Sequence, residues 1–503
     1  MYSKGIPMLS PTPEQQYIIA AAKSPSSIMI NALAGTGKTT TLQMLASVLP
    51  KEPILALAFN KKIKEELEKR FPSNFTVMTM NGLGHRAWGK TINKPKMLID
   101  DKKLGRLTTE ALKAFPSSKG SWNEIRQLVV YAMQRGVVPT QFQNAKGLLP
   151  DTPDTWQEIA SDYDLLLTAD ECKLSRRILC ESIEEGLKGV ITYDDQIYLP
   201  VVFTGDFPRF NTVLVDEAQD LSPLNHQMLR KCSSGRLIVV GDPRQAIYAF
   251  RGADSSSMDT IKALRSEWIE LPLNTTFRCP LSVVERQHNH APQYRAAESN
   301  PRGAIYDLSG EKWTWEAIPA GDTAVLCRNN APLISMAFKL IRQGIGVNML
   351  GREIGRGLST IVKKLCPDLT TKVDQFLPLL TNWHETEKSK AEANGDSTKA
   401  ANTTDKYESI IAVISAKKPR TVAELIEELT FLFAKNNGQV ILATGHKAKG
   451  LEWDNVVHLD PWRIPSKYAK TESEQRQEAN LRYVLETRTK HTLILANLSD
   501  FEQ

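Results

Sequence analysis

The segment Ala32-Leu33-Ala34-Gly35-Thr36-Gly37-Lys38-Thr39 constrains this chain more than any other, because it follows a short apolar run and opens a helical pattern. A Gly-rich turn in that setting lets successive backbone N–H groups curl around phosphate oxygens at the positive end of a helix. Ala34, Gly35, Thr36, Gly37, Lys38, Thr39 and Thr40 are therefore candidate nucleotide-binding residues. Lys38 is placed to reach the β and γ phosphates, and the Thr39 hydroxyl to reach Mg²⁺. The first position of the usual pattern is Ala32 instead of Gly. An ordinary Gly-rich turn before a helix is the simpler alternative.

The surrounding pattern supplies the sheet that such a loop needs. Apolar runs at Ile28-Met29-Ile30 and Ile54 to Phe59 alternate with helical patterns starting near Thr39 and Lys61. That rhythm is β-α-β and predicts a parallel sheet. Strand-like runs return at Val213-Leu214-Val215 and Leu237-Ile238-Val239-Val240, after a mostly helical, polar stretch from about Gly84 to Gly189. Further runs at Thr323 to Cys327, Val440 to Ala443, Val456-Val457-His458 and Thr492 to Ala496 predict a second lobe. The expected fold class is α/β, two parallel-sheet lobes with a helical insertion in each. Expected boundaries are 1–90 with 190–270 for the first lobe and 91–189 for its insertion. The second lobe is expected at 271–350 with 438–503, and its insertion at 351–437. Glu385 to Asp405 has almost no large apolar residue and is expected to be a mobile loop.

A second chemical signal lies in Val213-Leu214-Val215-Asp216-Glu217-Ala218-Gln219-Asp220, an apolar strand delivering carboxylates at its end. Asp216 would hold Mg²⁺ through water, and Glu217 would orient and deprotonate an attacking water. Acidic surface clusters are common, so it is the pairing with the phosphate loop that predicts nucleotide hydrolysis.

Val240-Gly241-Asp242-Pro243-Arg244-Gln245-Ala246-Ile247-Tyr248-Ala249-Phe250-Arg251-Gly252-Ala253 then follows, and it resembles the third motif of UvrD/Rep-like superfamily 1 helicases. Other segments similar to that family's motifs occur in order. They are Thr12 to Gln16, Ala58 to Lys61, Thr79 to His85, Asn274 to Arg278, Ala324 to Asn330, Thr444 to Glu452 and Tyr483 to Thr489. The resemblance covers both lobes and neither insertion. It implies two RecA-like lobes of the P-loop NTPase class, with ATP and Mg²⁺ as cofactors.

By the same resemblance, Gln15 would read the adenine edge, Phe277 would stack on the base and Glu452 would touch the ribose. Gln245 would sense the γ-phosphate, while Arg278 and Arg488 would stabilise transition-state charge. Phe59, Tyr248 and Phe250 match positions that stack on bases, and Asn60, Lys61, His85 and Arg251 are candidate strand contacts. Core packing is the alternative for the aromatics, and solvated surface charge for the basic residues. The implied activity is ATP-dependent 3′-to-5′ unwinding, with single-stranded and tailed duplex DNA as partners, in repair, recombination or replication. Replication or recombination proteins are further candidate partners. The alternative is a DNA-stimulated ATPase that translocates, remodels protein–DNA complexes or acts as a sensor subunit without separating strands. A duplex-splitting pin near Trp453, or within Trp462 to Tyr468, would distinguish the two.

Two positions depart from the family pattern: Asn81, where His is common, and Leu485-Glu486, where smaller or apolar residues are usual. The short insertions look most like compact phage or mobile-element members, or the motor core of F-box helicases. After the last motif only Lys490 to Gln503 remain, so no fused nuclease is expected.

Composition agrees with a folded, multi-lobed protein. The 503 residues suffice for three or four compact units at roughly 100–200 residues each. A formal net charge of +6 permits a polyanionic partner without requiring one. The six cysteines are scattered without metal-ligand spacing, and neither a signal peptide nor an apolar run of about 20 residues is present. The expected location is the cytoplasm, or a host's cytoplasm if phage-encoded, with no membrane partner.

Overall fold

The computed structural model describes residues 10–163, 165, 167–247, 256–393, 397–434 and 438–502. They form two units, Met1–Asn274 and Thr275–Gln503. Each is an α/β unit built on a six-stranded parallel sheet.

The first unit opens with α1 (Pro13–Ala21), β1 (Ser27–Ala32), α2 (Lys38–Val48), β2 (Ile54–Ala58), α3 (Lys61–Arg70), β3 (Phe75–Thr79) and α4 (Met80–Thr91). A mainly helical stretch follows: β4 (Leu98–Ile99), α5 (Lys103–Ala111), α6 (Trp122–Gln134), α7 (Pro153–Asp162), α8 (Ala169–Leu187), β5 (Val190–Ile191) and α9 (Asp195–Val202). The chain then returns through β6 (Phe210–Val215), α10 (Pro223–Cys232), β7 (Ser233–Gly241), α11 (Ser257–Lys262) and β8 (Trp268–Leu273). The strand order is β3-β2-β6-β7-β1-β8.

Burial on both faces explains why the central strands read as unbroken apolar runs. Ile28, Ile30, Ala56, Leu214 and Ile238 pack on one side, and Met29, Leu55, Leu57, Val213 and Val239 on the other. The edge strands β3 and β8 are only partly buried, and β8 carries Glu270 and Pro272. Their weaker apolar signal is why sequence pattern alone does not reveal them.

The helical stretch is tied down by polar contacts as well as packing. The fully buried Lys103 Nζ donates to Asp195 Oδ2 at 2.7 Å and to the carbonyls of Ser182 and Val190 at 2.9 and 3.0 Å. Trp88 Nε1 on α4 donates to the Gly186 carbonyl on α8 at 3.0 Å. A Cβ at Gly84 would lie 1.9 Å from the Gln196 carbonyl oxygen, so α4 can approach α9 only with glycine there.

The second unit contains β9 (Thr275–Thr276), α12 (Leu281–Arg286), β10 (Arg295–Ala296), β11 (Ala304–Asp307), β12 (Thr323–Cys327), α13 (Asn330–Arg342) and β13 (Val347–Met349). Next come α14 (Arg352–Leu365), α15 (Val373–Ala393), α16 (Ser397–Lys417) and α17 (Val422–Leu432). The sheet is completed around β14 (Val440–Thr444), α18 (Gly445–Ala448), β15 (Trp453–Leu459), α19 (Glu472–Glu486) and β16 (Thr489–Ala496), in the order β11-β16-β15-β12-β14-β13.

One expectation is corrected here. Residues 385–393 and 397–405, read from composition as loop, are helical in α15 and α16; 394–396 lie outside the described residues. Ala, Lys and Glu are strong helix formers. The packing face uses small or polar side chains, Glu387 and Ala391 on α15 and Ala400, Ala401 and Thr403 on α16, instead of large apolar ones. His384 also stacks on Tyr407 with centroids 4.3 Å apart. Among the described residues no helix is long and apolar enough to cross a membrane.

Removing one member of a buried ion pair strands the other without compensation. Asp195→Ala should lower the stability of the first unit by roughly 3–5 kcal/mol, seen as an earlier urea transition in tryptophan fluorescence. An unchanged transition would show that Lys103 finds sufficient partners in the carbonyls alone.

Candidate functional site

The phosphate loop is shaped by two left-handed glycines, Gly35 at φ 69° and Gly37 at φ 78°, a conformation that a Cβ would strain. The buried Thr36 closes it by donating from Oγ1 to the Leu33 carbonyl at 2.9 Å. Gly37 is the N-cap of α2 and offers no side-chain acceptor. The first N–H groups of α2 are thus left without a side-chain cap, as an anion cradle requires.

Parallel pairing brings the chemistry to the same sheet edge. Asn31 on β1 is in register with Gly241 on β7, and Val215 on β6 with Val239 on β7, so the three strands deliver Lys38, Asp242 and Asp216-Glu217 together. Lys38 Nζ lies 2.7 Å from Glu217 Oε2. The same oxygen accepts from Gln219 Nε2 at 2.7 Å, while Gln219 Oε1 accepts from the Asp242 N–H at 3.0 Å. Gln245 Nε2 donates to Asp242 Oδ2 at 2.7 Å. Glu217 itself sits at φ 49°, in the left-handed region, where a non-glycine residue is strained and functional residues concentrate.

The electrostatics follow from burial. Desolvation alone would lower the Lys38 pKa, but Glu217, Asp242 and Asp216 outweigh it and raise it above the ordinary lysine value. Burial and then the neighbouring Glu217 push Asp216 well above the usual carboxylate range. Burial likewise raises Asp242. Three carboxyl groups around one ammonium are mutually repulsive, so bringing a cation to this edge is electrostatically favourable.

Gln15 is buried, and its amide is already engaged. Oε1 accepts from the Thr12 N–H at 3.0 Å as half of a capping box, and Nε2 donates to Thr41 Oγ1 on α2 at 3.1 Å. Thr39 and Thr40 are partly exposed in the first turn of α2.

In the second unit Phe277 is about half exposed, at 49%. Arg278 pairs through Nε with Glu452 Oε2. Arg488 is buried, and its guanidinium donates to the Val484 carbonyl at 2.9 Å and to the Leu451 carbonyl and Thr487 Oγ1 at 3.3 Å each. Burial, and then the charge of Arg278, lower its pKa to about 10. Two residues earlier the buried Glu486 accepts from Arg286 Nε at 2.9 Å, Gln287 Nε2 at 2.5 Å and His458 Nδ1 at 3.3 Å. Burial opposes its ionisation, yet the bond and charge of His458, followed by Arg286, hold its pKa down at about 2. The unexpected carboxylate at this position thus organises the α12, β15 and α19 elements.

Among the candidate strand contacts, Phe59 is exposed at 48%. Asn60 caps α3 by accepting from the Ile63 N–H at 2.9 Å. The Lys61 side chain is 88% exposed and lies 3.8 Å from Glu65, while His85 Nδ1 is 3.2 Å from Gln196 Nε2. Tyr248, Phe250 and Arg251 lie outside the described residues. Trp453, one expected pin position, is buried at the start of β15, whereas Trp462 is exposed. Sequence reasoning gave no role to Asp242, Gln219 or Glu486. All three stand inside the motif segments, and Glu486 is marked there as a departure from the family pattern.

Comparison with known proteins bears on this arrangement. Residues 12–264 match the UvrD/REP helicase N-terminal domain, and residues 360–500 match the UvrD-like helicase C-terminal domain. The chain is 25% identical over 545 aligned positions to F-box DNA helicase protein 1 of Schizosaccharomyces pombe, covering 96% of this chain and 57% of that protein. F-box DNA helicase 1 of Gallus gallus is also 25% identical, with 98% and 50% covered. DNA helicase II of Escherichia coli is 26% identical over 276 positions, 48% of this chain and 34% of that protein. The chain spans about half the length of the F-box relatives it matches.

The Glu486 network has a pH signature. Its folded pKa is depressed, so it stabilises the second unit above the ordinary glutamate value of 4.5 and loses that contribution as pH falls toward about 2. The loss should be on the order of 3 kcal/mol. Urea midpoints of the wild type should therefore fall more steeply with acid than those of Glu486→Gln. Parallel slopes would assign the acid sensitivity to other groups.

Proposed function

Because this chain belongs to the UvrD/REP helicase family, we propose that it is an ATP-driven motor on DNA, a helicase that moves 3′ to 5′ on one strand and unwinds duplex. Its proposed setting is DNA repair, recombination or replication. The observation that carries the ATP-driven part of the reading is the Lys38 cage at the carboxyl edge of the first sheet, beside the uncapped N-terminus of α2.

The residues account for a hydrolytic cycle. Lys38 is neutralised by Glu217 at 2.7 Å. A triphosphate seated on the α2 N–H groups offers Lys38 a denser negative partner, and releases Glu217 to orient a water and take its proton. Gln219, bonded to both Glu217 and the Asp242 backbone, would keep the freed carboxylate aimed. Among the described residues no group of three or more His, Cys, Asp or Glu is arranged to hold a metal. An ion bound partly by nucleotide phosphates would sit on Thr39 and Asp216. There Mg²⁺ would supply positive charge to the β and γ oxygens. Gln15 and Phe277 are proposed to hold the base, and Glu452 the ribose. Gln245 is proposed as γ-phosphate sensor, and Arg278 and Arg488 as charge-stabilising arginines. Among the described residues no carboxylate pairs with Arg488, so its charge remains available.

Phe59, with its exposed ring, and Lys61 are proposed strand contacts. A second reading, a DNA-stimulated ATPase that translocates without separating strands, is favoured by the burial of Trp453, which removes one expected pin.

ATP hydrolysis should rise with single-stranded DNA, and duplexes with a 3′ tail should be separated while those with a 5′ tail persist. Glu217→Gln should lower the hydrolysis rate by about 10² to 10⁴-fold, and Arg488→Ala by about 10³-fold or more. Stimulated hydrolysis without strand separation would select the translocase. Hydrolysis indifferent to DNA would overturn both readings.

A further inference from the structure

The second unit has a cavity of about 440 Å³ that the nucleotide chemistry does not use. One wall is a single face of α19, Gln475, Ala479, Arg482 and Glu486, spaced so that all four project the same way. The opposite wall is the end of α12 and the turn after it, including Arg286 and His290, and the floor is Ile464-Pro465. Such a volume suits a small polar group with an apolar portion.

The lining favours an anion. Its one carboxylate, Glu486, is committed to Arg286, Gln287 and His458, and no carboxylate among the described residues pairs with Arg482. Arg482 makes a bond from Nη2 to the Ile464 carbonyl, which fixes its guanidinium at the cavity wall. A planar guanidinium with unused N–H groups suits phosphate oxygens.

A further feature adjoins the cavity. Trp462, two residues before Ile464 and so at most about 7 Å away along the chain, is 65% exposed with the Arg463 guanidinium 4.5 Å from its ring centroid. Arg463 Nε is in turn anchored to Asp460 Oδ2 at 2.9 Å, so the ring is braced on one face. An exposed, braced indole two residues along the chain from a cavity that holds a guanidinium without a carboxylate partner offers what a single strand needs, a base on the ring and a backbone phosphate nearby.

We propose that this cavity and Trp462 form a strand contact of the second unit, with a nucleic-acid backbone phosphate on Arg482 and a neighbouring base on Trp462. The proposal rests on the reading of the chain as a DNA-strand motor. A free nucleotide or inorganic phosphate shares the chemistry and is separated by the test.

Full-length protein is titrated into labelled oligo-dT by fluorescence anisotropy over a range of salt. Arg482→Gln should weaken binding about tenfold and flatten the logarithmic salt slope by about 0.7, the value for one lost phosphate contact on a single strand. Gln475 is exposed, so Gln475→Glu, which places a negative charge at the cavity, should weaken binding with no folding penalty. Trp462→Ala should weaken it about tenfold with the salt slope kept, since stacking releases no counterions. Unchanged oligo-dT affinity in Gln475→Glu and Trp462→Ala overturns the proposal. So does binding of AMP or inorganic phosphate that is lost in Arg482→Gln while oligo-dT affinity stays constant. Failure of the wild type to bind oligo-dT would instead remove the motor reading beneath it.

Discussion

The Lys38 ammonium is held in a nearly closed site by a carboxylate 2.7 Å away, with two further carboxyl groups around it, and much of the first unit is arranged around that cage. An isolated buried ammonium would shed its proton or cost several kcal/mol. The ammonium and its compensating groups come from three strands adjacent in space but distant in sequence. The order β6-β7-β1 in one parallel sheet brings Asp216-Glu217, Asp242 and the Lys38 loop to a common edge. Parallel neighbours demand crossovers, so helices cover both faces of the sheet and its central strands are apolar on both sides. The long helical stretch between β3 and β6 is an enlarged crossover.

The cage also explains the strain at Glu217. In the proposed cycle, a carboxylate that neutralises a lysine in one state and activates water in another benefits from a backbone that no helix or strand dictates, and φ 49° places it outside both. Gln219 spans from that carboxylate to the backbone of Asp242. Movement of Glu217 is thereby coupled to the end of β7, where Asp242 holds Gln245. In the proposed cycle, a change of partner at Lys38 would reach the start of the third motif through two side-chain amides.

How much of this was legible follows from locality. The phosphate loop and the acidic strand end are continuous segments whose chemistry is read from adjacent letters, and the central strands announce themselves by burial on both faces. Asp242 and Gln219 required the fold, since their partners are fixed by strand order. Edge strands β3 and β8 were illegible because half of each faces water. Residues 385–405 misled because composition registers missing large apolar residues and not a helix face built from Ala391, Ala400 and Ala401. Glu486 stood out as a departure from pattern, but its meaning depended on Arg286, Gln287 and His458 converging on it from elsewhere in the chain.

The second unit uses its arginines by commitment. Arg286 is bound to Glu486 and Arg278 to Glu452, which fixes their positions at the expense of free charge. Arg488 is held by carbonyls and a hydroxyl, neutral acceptors that orient a guanidinium without cancelling it, so the cost of its burial shows as a pKa lowered to about 10. In the proposed cycle a carboxylate there would be less useful, because an incoming anion would have to displace it. Neutral acceptors keep the charge oriented and unspent, and Glu486, two residues away, takes its cations from α12 and β15 instead. The sequence distance between Glu486 and Arg488 is short, but the helix ends between them, and that termination keeps the structural carboxylate and the buried arginine from neutralising each other.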